Sequence, residues 1–163
     1  MKTRILTVLL SAAFYFCGVA NAQEAPRLKI EKAPLIGKGY TINGEVVLDK
    51  IKYSYDDFRV TMTLQVERGG RMWGPKPLAN MPSVPVNKSG SFSCLFVTGG
   101  NDGLAETLYV YLIPKGFIPT DNAERTEAAA IDKVVINRYK NGKVEIQHSD
   151  RGSNTEPDYT IEM

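Results

Sequence analysis

The sequence predicts an all-β fold: an antiparallel Ig-like or fibronectin-like β-sandwich with at most one short helix. Three observations lead to this prediction. Residues 58–67 alternate strictly between apolar and polar side chains, several other short alternating segments are separated by Gly, Pro and Asn-Gly turns, and a single short segment has helical composition. Short strands with turn signals between them are typical of sandwiches of antiparallel sheets.

The strongest strand signal lies at residues 58–67. Five apolar residues alternate there with Arg, Thr, Gln and Glu, and they are Phe58, Val60, Met62, Leu64 and Val66. A period of two puts all of these side chains on one face of a strand, so this face is predicted to be buried and the Thr-rich face to be wet. Gly69-Gly70 follows as the turn.

Further strands follow from the same alternation. Residues 91–97 place Phe92, Cys94 and Phe96 on one side, and Cys94 is therefore interpreted as a small core residue. Residues 107–113 place Leu108, Val110 and Leu112 opposite Tyr109 and Tyr111, and Pro114 ends that strand. Segments 133–139 and 143–148 flank Asn141-Gly142, the preferred two-residue hairpin turn. Residues 122–131 predict one or two helical turns, and residues 159–162 a last short strand.

The N-terminus predicts export. Lys2 and Arg4 precede an apolar run that ends in Ala20-Asn21-Ala22, a small-x-small cleavage pattern, so residues 1–22 are predicted to be a cleavable signal peptide. Tyr15 and Phe16 stand where a lipobox before Cys17 would need small residues, so no lipid anchor is expected. We expect an exported protein, periplasmic or extracellular, with no membrane span after cleavage.

The remaining chain is predicted to have a leader or edge strand at residues 23–39 and a single sandwich domain at residues 40–163. Removing Lys2 and Arg4 from the 20 basic residues leaves 18, against 18 acidic residues. This balance gives no basic stripe, so a nucleic-acid partner is not expected. Cys94 is then the one cysteine of the mature chain, which excludes an internal disulfide.

Residues 72–119 carry an ordered set of motifs, namely Trp73, Lys76-Pro77, Ser89-Gly90-Ser91-Phe92, Thr98-Gly99-Gly100-Asn101-Asp102 and Leu112-Ile113-Pro114. This order resembles the Ig-like β-sandwich accessory modules of bacterial secreted glycoside hydrolases and surface proteins. The resemblance implies an exported, non-catalytic sandwich module. The chain departs from the pattern at Lys88-Ser89-Gly90, where the modules have an Asp-Gly turn, and we expect no catalytic domain within residues 1–163.

Two aromatic features are candidates for ligand contact. Trp73 is the only tryptophan and lies between Gly and Pro residues. An exposed aromatic ring there would stack on a sugar, whereas a buried one would close the end of the sandwich. Tyr109 and Tyr111, about 7 Å apart along one strand face, would form a stacking platform if that face is open and core if it is covered.

The Thr98–Gly103 loop and Lys76 are the polar candidates. Asn101 and Asp102 offer oxygen atoms of the kind that Ca²⁺ prefers, but their number falls short of six to eight, and a tight turn is the simpler interpretation. We therefore expect neither a metal nor a cofactor. Lys76, in the same motif block as Trp73, is included among the ligand-binding residues.

No catalytic constellation stands out. His148 is the only histidine, and there is no Gly-x-Ser-x-Gly motif. Acidic pairs such as Asp56-Asp57 have nothing in the sequence that would place them in a cleft. The sequence therefore predicts a protein that is not an enzyme.

The favoured hypothesis is a secreted binding module that contacts a polysaccharide through an aromatic site. The alternative is a structural or protein-interaction subunit that docks to an envelope or secreted protein, for example by strand addition at a sheet edge. Exposure of Trp73 distinguishes the two, because a solvent-facing ring favours a sugar.

Overall fold

The computed structural model describes residues 25–148 and the backbone of residues 159–161. The predicted signal peptide at residues 1–22, with Cys17, lies outside the described residues. The strands in chain order are β1 Arg27–Lys32, β2 Thr41–Val47, β3 Phe58–Gln65, β4 Met72–Lys76, β5 Val84–Pro85, β6 Ser91–Leu95, β7 Thr107–Pro114, β8 Asp132–Arg138, β9 Val144–His148 and β10 Tyr159–Ile161. Within the described part of the chain the one α-helix, α1, spans Ala123–Ala129, and short 3-10 turns lie at Tyr55–Asp57 and Asp102–Leu104.

The strands form two sheets in which every described pairing is antiparallel. The smaller sheet has the order β1-β2-β6, and the larger has the order β10-β9-β8-β7-β3-β4, with β5 also paired to β3. The predicted antiparallel β fold with at most one short helix is confirmed. β1 falls within residues 23–39 and lies at the edge of the smaller sheet.

The core lies between the inner faces of the two sheets. Val60, Met62 and Leu64 of β3 are fully buried, as the alternation at residues 58–67 predicts, and Ile42 and Cys94 of the smaller sheet belong to the same buried cluster. Burying one such side chain contributes about 1.5–3 kcal/mol. The two sheets are therefore held together chiefly by apolar contact.

The prediction that the Thr-rich face of this strand is wet is wrong: Thr61 and Thr63 are 0% and 2% exposed, and the Thr61 hydroxyl donates to the Pro82 carbonyl oxygen at 2.6 Å.

Close strand packing in the smaller sheet depends on Gly44 of β2. A Cβ atom at this position would lie 2.4 Å from the carbonyl oxygen of Lys29 and 2.8 Å from the Phe92 ring. Both distances are shorter than van der Waals contact, so only glycine fits here without displacing β1 or β6.

The outer face of the larger sheet is covered near its middle by α1. Tyr111 and Ile113 of β7 are both 0% exposed, yet neither side chain belongs to the buried cluster between the two sheets. Thr126 of α1 is buried as well, and the Asn122 side chain caps the helix by accepting a hydrogen bond from the Arg125 N–H at 3.0 Å. The helix thus creates a second, smaller buried layer.

The edge strand β1 is tied to the larger sheet by two side chains. The Leu28 N–H donates to Asp132 Oδ2 at 2.6 Å, and His148 Nε2 lies 2.6 Å from the Leu28 carbonyl oxygen, to which it donates. His148 and Asp132 therefore bind both main-chain groups of Leu28, which point away from β2.

At the opposite edge of the larger sheet, β4 contains Pro75 and is followed by Pro77, neither of which has an N–H to donate.

None of the helices in the described ranges is both long and apolar enough to cross a membrane.

Candidate functional site

A β-bulge in β4 brings Trp73 and Lys76 to the same side of the sheet. Met62 pairs with Lys76 and Leu64 with Trp73, so residues two apart on β3 oppose residues three apart on β4. The extra residue is accommodated at Gly74, whose φ of 150° is unfavourable for side-chain-bearing residues. Because directly paired residues share a face, Trp73 and Lys76 both lie on the inner face with Met62 and Leu64.

Lys76 binds the loop that crosses from one sheet to the other. Its Nζ donates to Asp102 Oδ2 at 2.6 Å and to Thr98 Oγ1 at 2.8 Å. The Lys76 and Asp102 side chains are only 10% and 15% exposed. The same Oδ2 atom also accepts from the Thr98 N–H and hydroxyl, each at 3.0 Å. Residues 98–102 are therefore fastened onto β4 by a compact charged network.

The network determines the charge state of Asp102. Burial by itself raises the pKa of this carboxyl, but the hydrogen bonds from Lys76 and Thr98 and the nearby positive charge outweigh it, so the net pKa lies below its usual value. Asp102 is consequently a carboxylate whose charge is already matched by an ammonium group. It is not an open ligand for a hard cation, and among the described residues no group of three or more His, Cys, Asp or Glu side chains could hold a metal ion.

An open cleft of about 540 Å³ lies over this network. One wall comes from the β3–β4 connection and the start of β4, and the other comes from the crossing loop, the connection between β6 and β7. The lining residues are Val66, Glu67, Gly70, Arg71, Trp73, Gly99, Gly100, Asn101 and Asp102. The volume falls in the range of small-ligand sites.

Trp73 presents its ring to this cleft. It is 48% exposed, so it does not close the end of the sandwich as a core residue would. The Arg71 guanidinium carbon lies 4.8 Å from the centre of the Trp73 ring, a cation–π contact on one ring face. The indole is thus held in a defined orientation while about half of its surface stays available.

Charges around the cleft cancel. Lys76 neutralises Asp102 from below, and Glu67 and Arg71, of opposite sign, stand on the same wall. A site with no net charge gives no electrostatic preference to an anion or a cation. Its chemistry is that of an aromatic surface beside amide and backbone polar groups.

The loop wall is built around two glycines. Gly99 and Gly100 have φ values of 153° and 53°, and a Cβ atom added to either would meet nothing within 4 Å. Their role is therefore conformational, and the space above them is open. The Asp102 N–H donates to the Gly99 carbonyl oxygen at 3.3 Å, which closes the tight turn that the sequence suggested.

The predicted site residues fall into two groups. Trp73, Asn101 and Asp102 line the cleft, and Lys76 lies beneath it, where it contacts Asp102 rather than the open space. Tyr109 and Tyr111 lie on the outer face of the larger sheet, away from the cleft. Of the two alternatives left open for this tyrosine pair, the covered face holds for Tyr111, which is 0% exposed, while the half-buried Tyr109 donates its hydroxyl to Gln65 Oε1 at 3.1 Å.

Sequence reasoning missed Val66, Glu67 and Arg71 as lining residues. A signal for Arg71 was present, since it stands two residues before Trp73, the spacing at which side chains of an extended segment point to the same side. The Val66 and Glu67 positions depend on how β3 ends against the crossing loop, where the Glu106 N–H donates to the Gln65 carbonyl oxygen at 2.9 Å. That pairing has no local signature.

Comparison with known proteins assigns no family: no family model matches the chain, and neither a curated protein nor a solved structure matches it.

Proposed function

We propose that this protein is an exported, non-catalytic binding module whose cleft holds an uncharged segment of a polysaccharide. The observation that carries the proposal is the half-exposed Trp73 ring, fixed by Arg71 on one face and bordering a cleft of about 540 Å³. A flat aromatic surface suits the apolar face of a pyranose ring. Export is inferred from the signal peptide predicted at residues 1–22.

The charge balance of the cleft supports a neutral sugar. Lys76 is paired with Asp102, and the charge of Arg71 is balanced by that of Glu67. The cleft therefore offers no net positive charge that would attract an acidic glycan. Asn101 offers an amide that can both donate to and accept from hydroxyl groups. Affinities from millimolar to ten micromolar, about 4–7 kcal/mol, are in the range that one stacked ring and a few hydrogen bonds supply.

The alternative, a subunit that docks to another envelope or secreted protein by strand addition, has less support. The N–H and carbonyl oxygen of Leu28 in β1 are occupied by Asp132 and His148, and β4 is interrupted by Pro75. Both features discourage an added strand.

The proposal is tested by measuring retention of the purified protein on a panel of soluble and insoluble neutral and acidic polysaccharides. Trp73→Ala is compared with Tyr40→Ala, a matched control whose aromatic side chain is 66% exposed outside the cleft. Folding of each variant is checked by circular dichroism. We expect binding to a neutral polysaccharide that Trp73→Ala abolishes and Tyr40→Ala preserves. Absence of binding to the whole panel, or equal binding by folded Trp73→Ala, contradicts the proposal.

A further inference from the structure

A buried guanidinium lies behind the loop wall of the cleft. Arg138, the last residue of β8, is 1% exposed. Its Nη2 donates to the carbonyl oxygens of Gly103, at 2.8 Å, and Leu35, at 3.1 Å. The Arg138 Cζ lies 5.1 Å from the centre of the Phe96 ring, and the backbone N–H of Arg138 donates to the Glu106 carbonyl oxygen at 2.8 Å. Arg138 thus connects β8 to both ends of the crossing loop and to the β1–β2 connection.

This guanidinium has no carboxylate partner among the described residues. Its Nε and Nη1 atoms are buried without a hydrogen-bond partner, and burial lowers the pKa of Arg138 to about 10. A buried charge in this condition works against folding. Removing the guanidinium would leave neither carbonyl oxygen without a hydrogen bond, because Gly103 O also accepts from the Gly37 N–H at 2.8 Å and Leu35 O from the Lys38 N–H at 3.0 Å.

Two cations therefore hold the crossing loop at neighbouring points. Lys76 binds Asp102 and Thr98, and Arg138 binds the carbonyl oxygen of Gly103. Gly99 and Gly100 lie between Thr98 and Asp102, and a Cβ atom added to either would meet nothing within 4 Å. A loop rich in glycine needs such anchors to present Asn101 in one position, and a site that is already ordered loses less entropy when a ligand binds.

We infer that Arg138 is a positioning residue of the cleft: it fixes the Asn101–Leu104 turn in the conformation that meets the ligand. The inference rests on the proposed function for its effect on affinity, but its effect on the loop is independent of any ligand. Because Arg138 is an unpaired buried charge, its removal is expected to separate binding from stability. A purely structural residue would lower both together.

The test compares Arg138→Met with Lys133→Met, a control on the same strand whose side chain instead binds Glu127 on the outer face. Arg138→Lys serves as the conservative variant. Amide hydrogen exchange is measured by NMR at Leu104 and Ala105, whose N–H groups close the turn on Asn101 O and Asp102 O at 2.8 and 3.1 Å. Thermal unfolding and the dissociation constant for the retained polysaccharide are measured in parallel.

For Arg138→Met we expect exchange at Leu104 and Ala105 to accelerate at least about tenfold. The dissociation constant should rise about tenfold and the melting temperature should not fall. Arg138→Lys should recover part of the protection, and Lys133→Met should change neither exchange nor affinity.

Unchanged exchange in a folded Arg138→Met protein would overturn the inference, as would failure of both Arg138 variants to fold. Faster exchange with unchanged affinity would overturn the positioning role and leave the glycan proposal intact. If the parent protein binds no polysaccharide, the proposed function fails, and the exchange rates alone decide whether Arg138 anchors the loop.

Discussion

The Lys76–Asp102 ion pair is predicted to contribute about 2 kcal/mol of coupling energy to folding. The perturbation is a double-mutant cycle of Lys76→Met, Asp102→Asn and the two combined. The side chains are 10% and 15% exposed and their charged atoms lie 2.6 Å apart, so neither charge can rehydrate fully when its partner is removed. Two unit charges 4 Å apart attract by about 4 kcal/mol at an effective dielectric constant near 20, and the cost of burying them offsets part of this.

The two single variants should differ. Lys76→Met leaves the Asp102 carboxylate with both Thr98 donors and a place near the surface, and it should cost about 2 kcal/mol. Asp102→Asn leaves a buried ammonium with the Thr98 hydroxyl as its remaining strong acceptor, and it should cost about 3 kcal/mol. The double variant removes both charges and should cost about 3 kcal/mol, less than the singles added together.

Urea unfolding followed by circular dichroism gives the four free energies of unfolding, and Trp73 emission gives an independent probe of two-state behaviour. The exposed Lys29–Glu45 pair, with side chains 63% and 35% exposed at a distance of 2.8 Å, is the control and should show a coupling below about 0.5 kcal/mol. A Lys76–Asp102 coupling energy no larger than that of the control would refute the argument that burial strengthens this ion pair.

Three further predictions follow from single groups. Because the pKa of Asp102 is lowered in the folded protein, its carboxylate stabilises the fold above the unfolded-state pKa of about 3.9, and this contribution is lost as pH falls through the folded pKa; unfolding free energies below about pH 5 should therefore decline more steeply for the parent protein than for Asp102→Asn. Burial raises the pKa of the Cys94 thiol to about 12, so iodoacetamide at neutral pH should label it in urea and not in the native protein, as mass spectrometry would reveal. Gly44→Ala should destabilise the protein by about 3 kcal/mol in urea unfolding, whereas Gly103→Ala, whose Cβ would meet only Val97 at 3.8 Å, should have little effect; equal results for the two would contradict the packing argument.

Much of the fold follows from local pattern. The strict alternation at residues 58–67 is found in β3, and the Asn141-Gly142 turn lies between β8 and β9. The Ala-rich segment at residues 122–131 contains α1. Each of these signals is carried by neighbouring residues, so one segment is sufficient to express it.

What the sequence could not supply depends on contacts between distant segments. The side of the sheet that α1 covers decides whether Tyr111 is a surface or a buried residue, and no period within 107–113 contains that information. The bulge at Gly74 likewise reverses the face expected for Lys76 relative to Trp73. The pairing of Lys76 with Asp102, 26 positions further along, follows only from that reversal.

The resemblance to accessory modules of secreted glycoside hydrolases stays a prediction. Trp73, Lys76 and the Asn101-Asp102 loop stand in the block of sequence that carries the resemblance, and three of these four residues line one cleft with Lys76 beneath them. The glycan ligand is tested by the retention of the parent protein and of Trp73→Ala on polysaccharides.

The loop that forms one wall of the cleft is also the segment that carries the chain from β6 in the smaller sheet to β7 in the larger one. A ligand seated there would touch the connection between two halves of the molecule, not an appendage of either. A free ligand concentration of 100 times the dissociation constant adds about 2.7 kcal/mol to the free energy of unfolding. This added stability should slow amide exchange in both sheets together, because ligand binding would stabilise the two sheets as one cooperative unit.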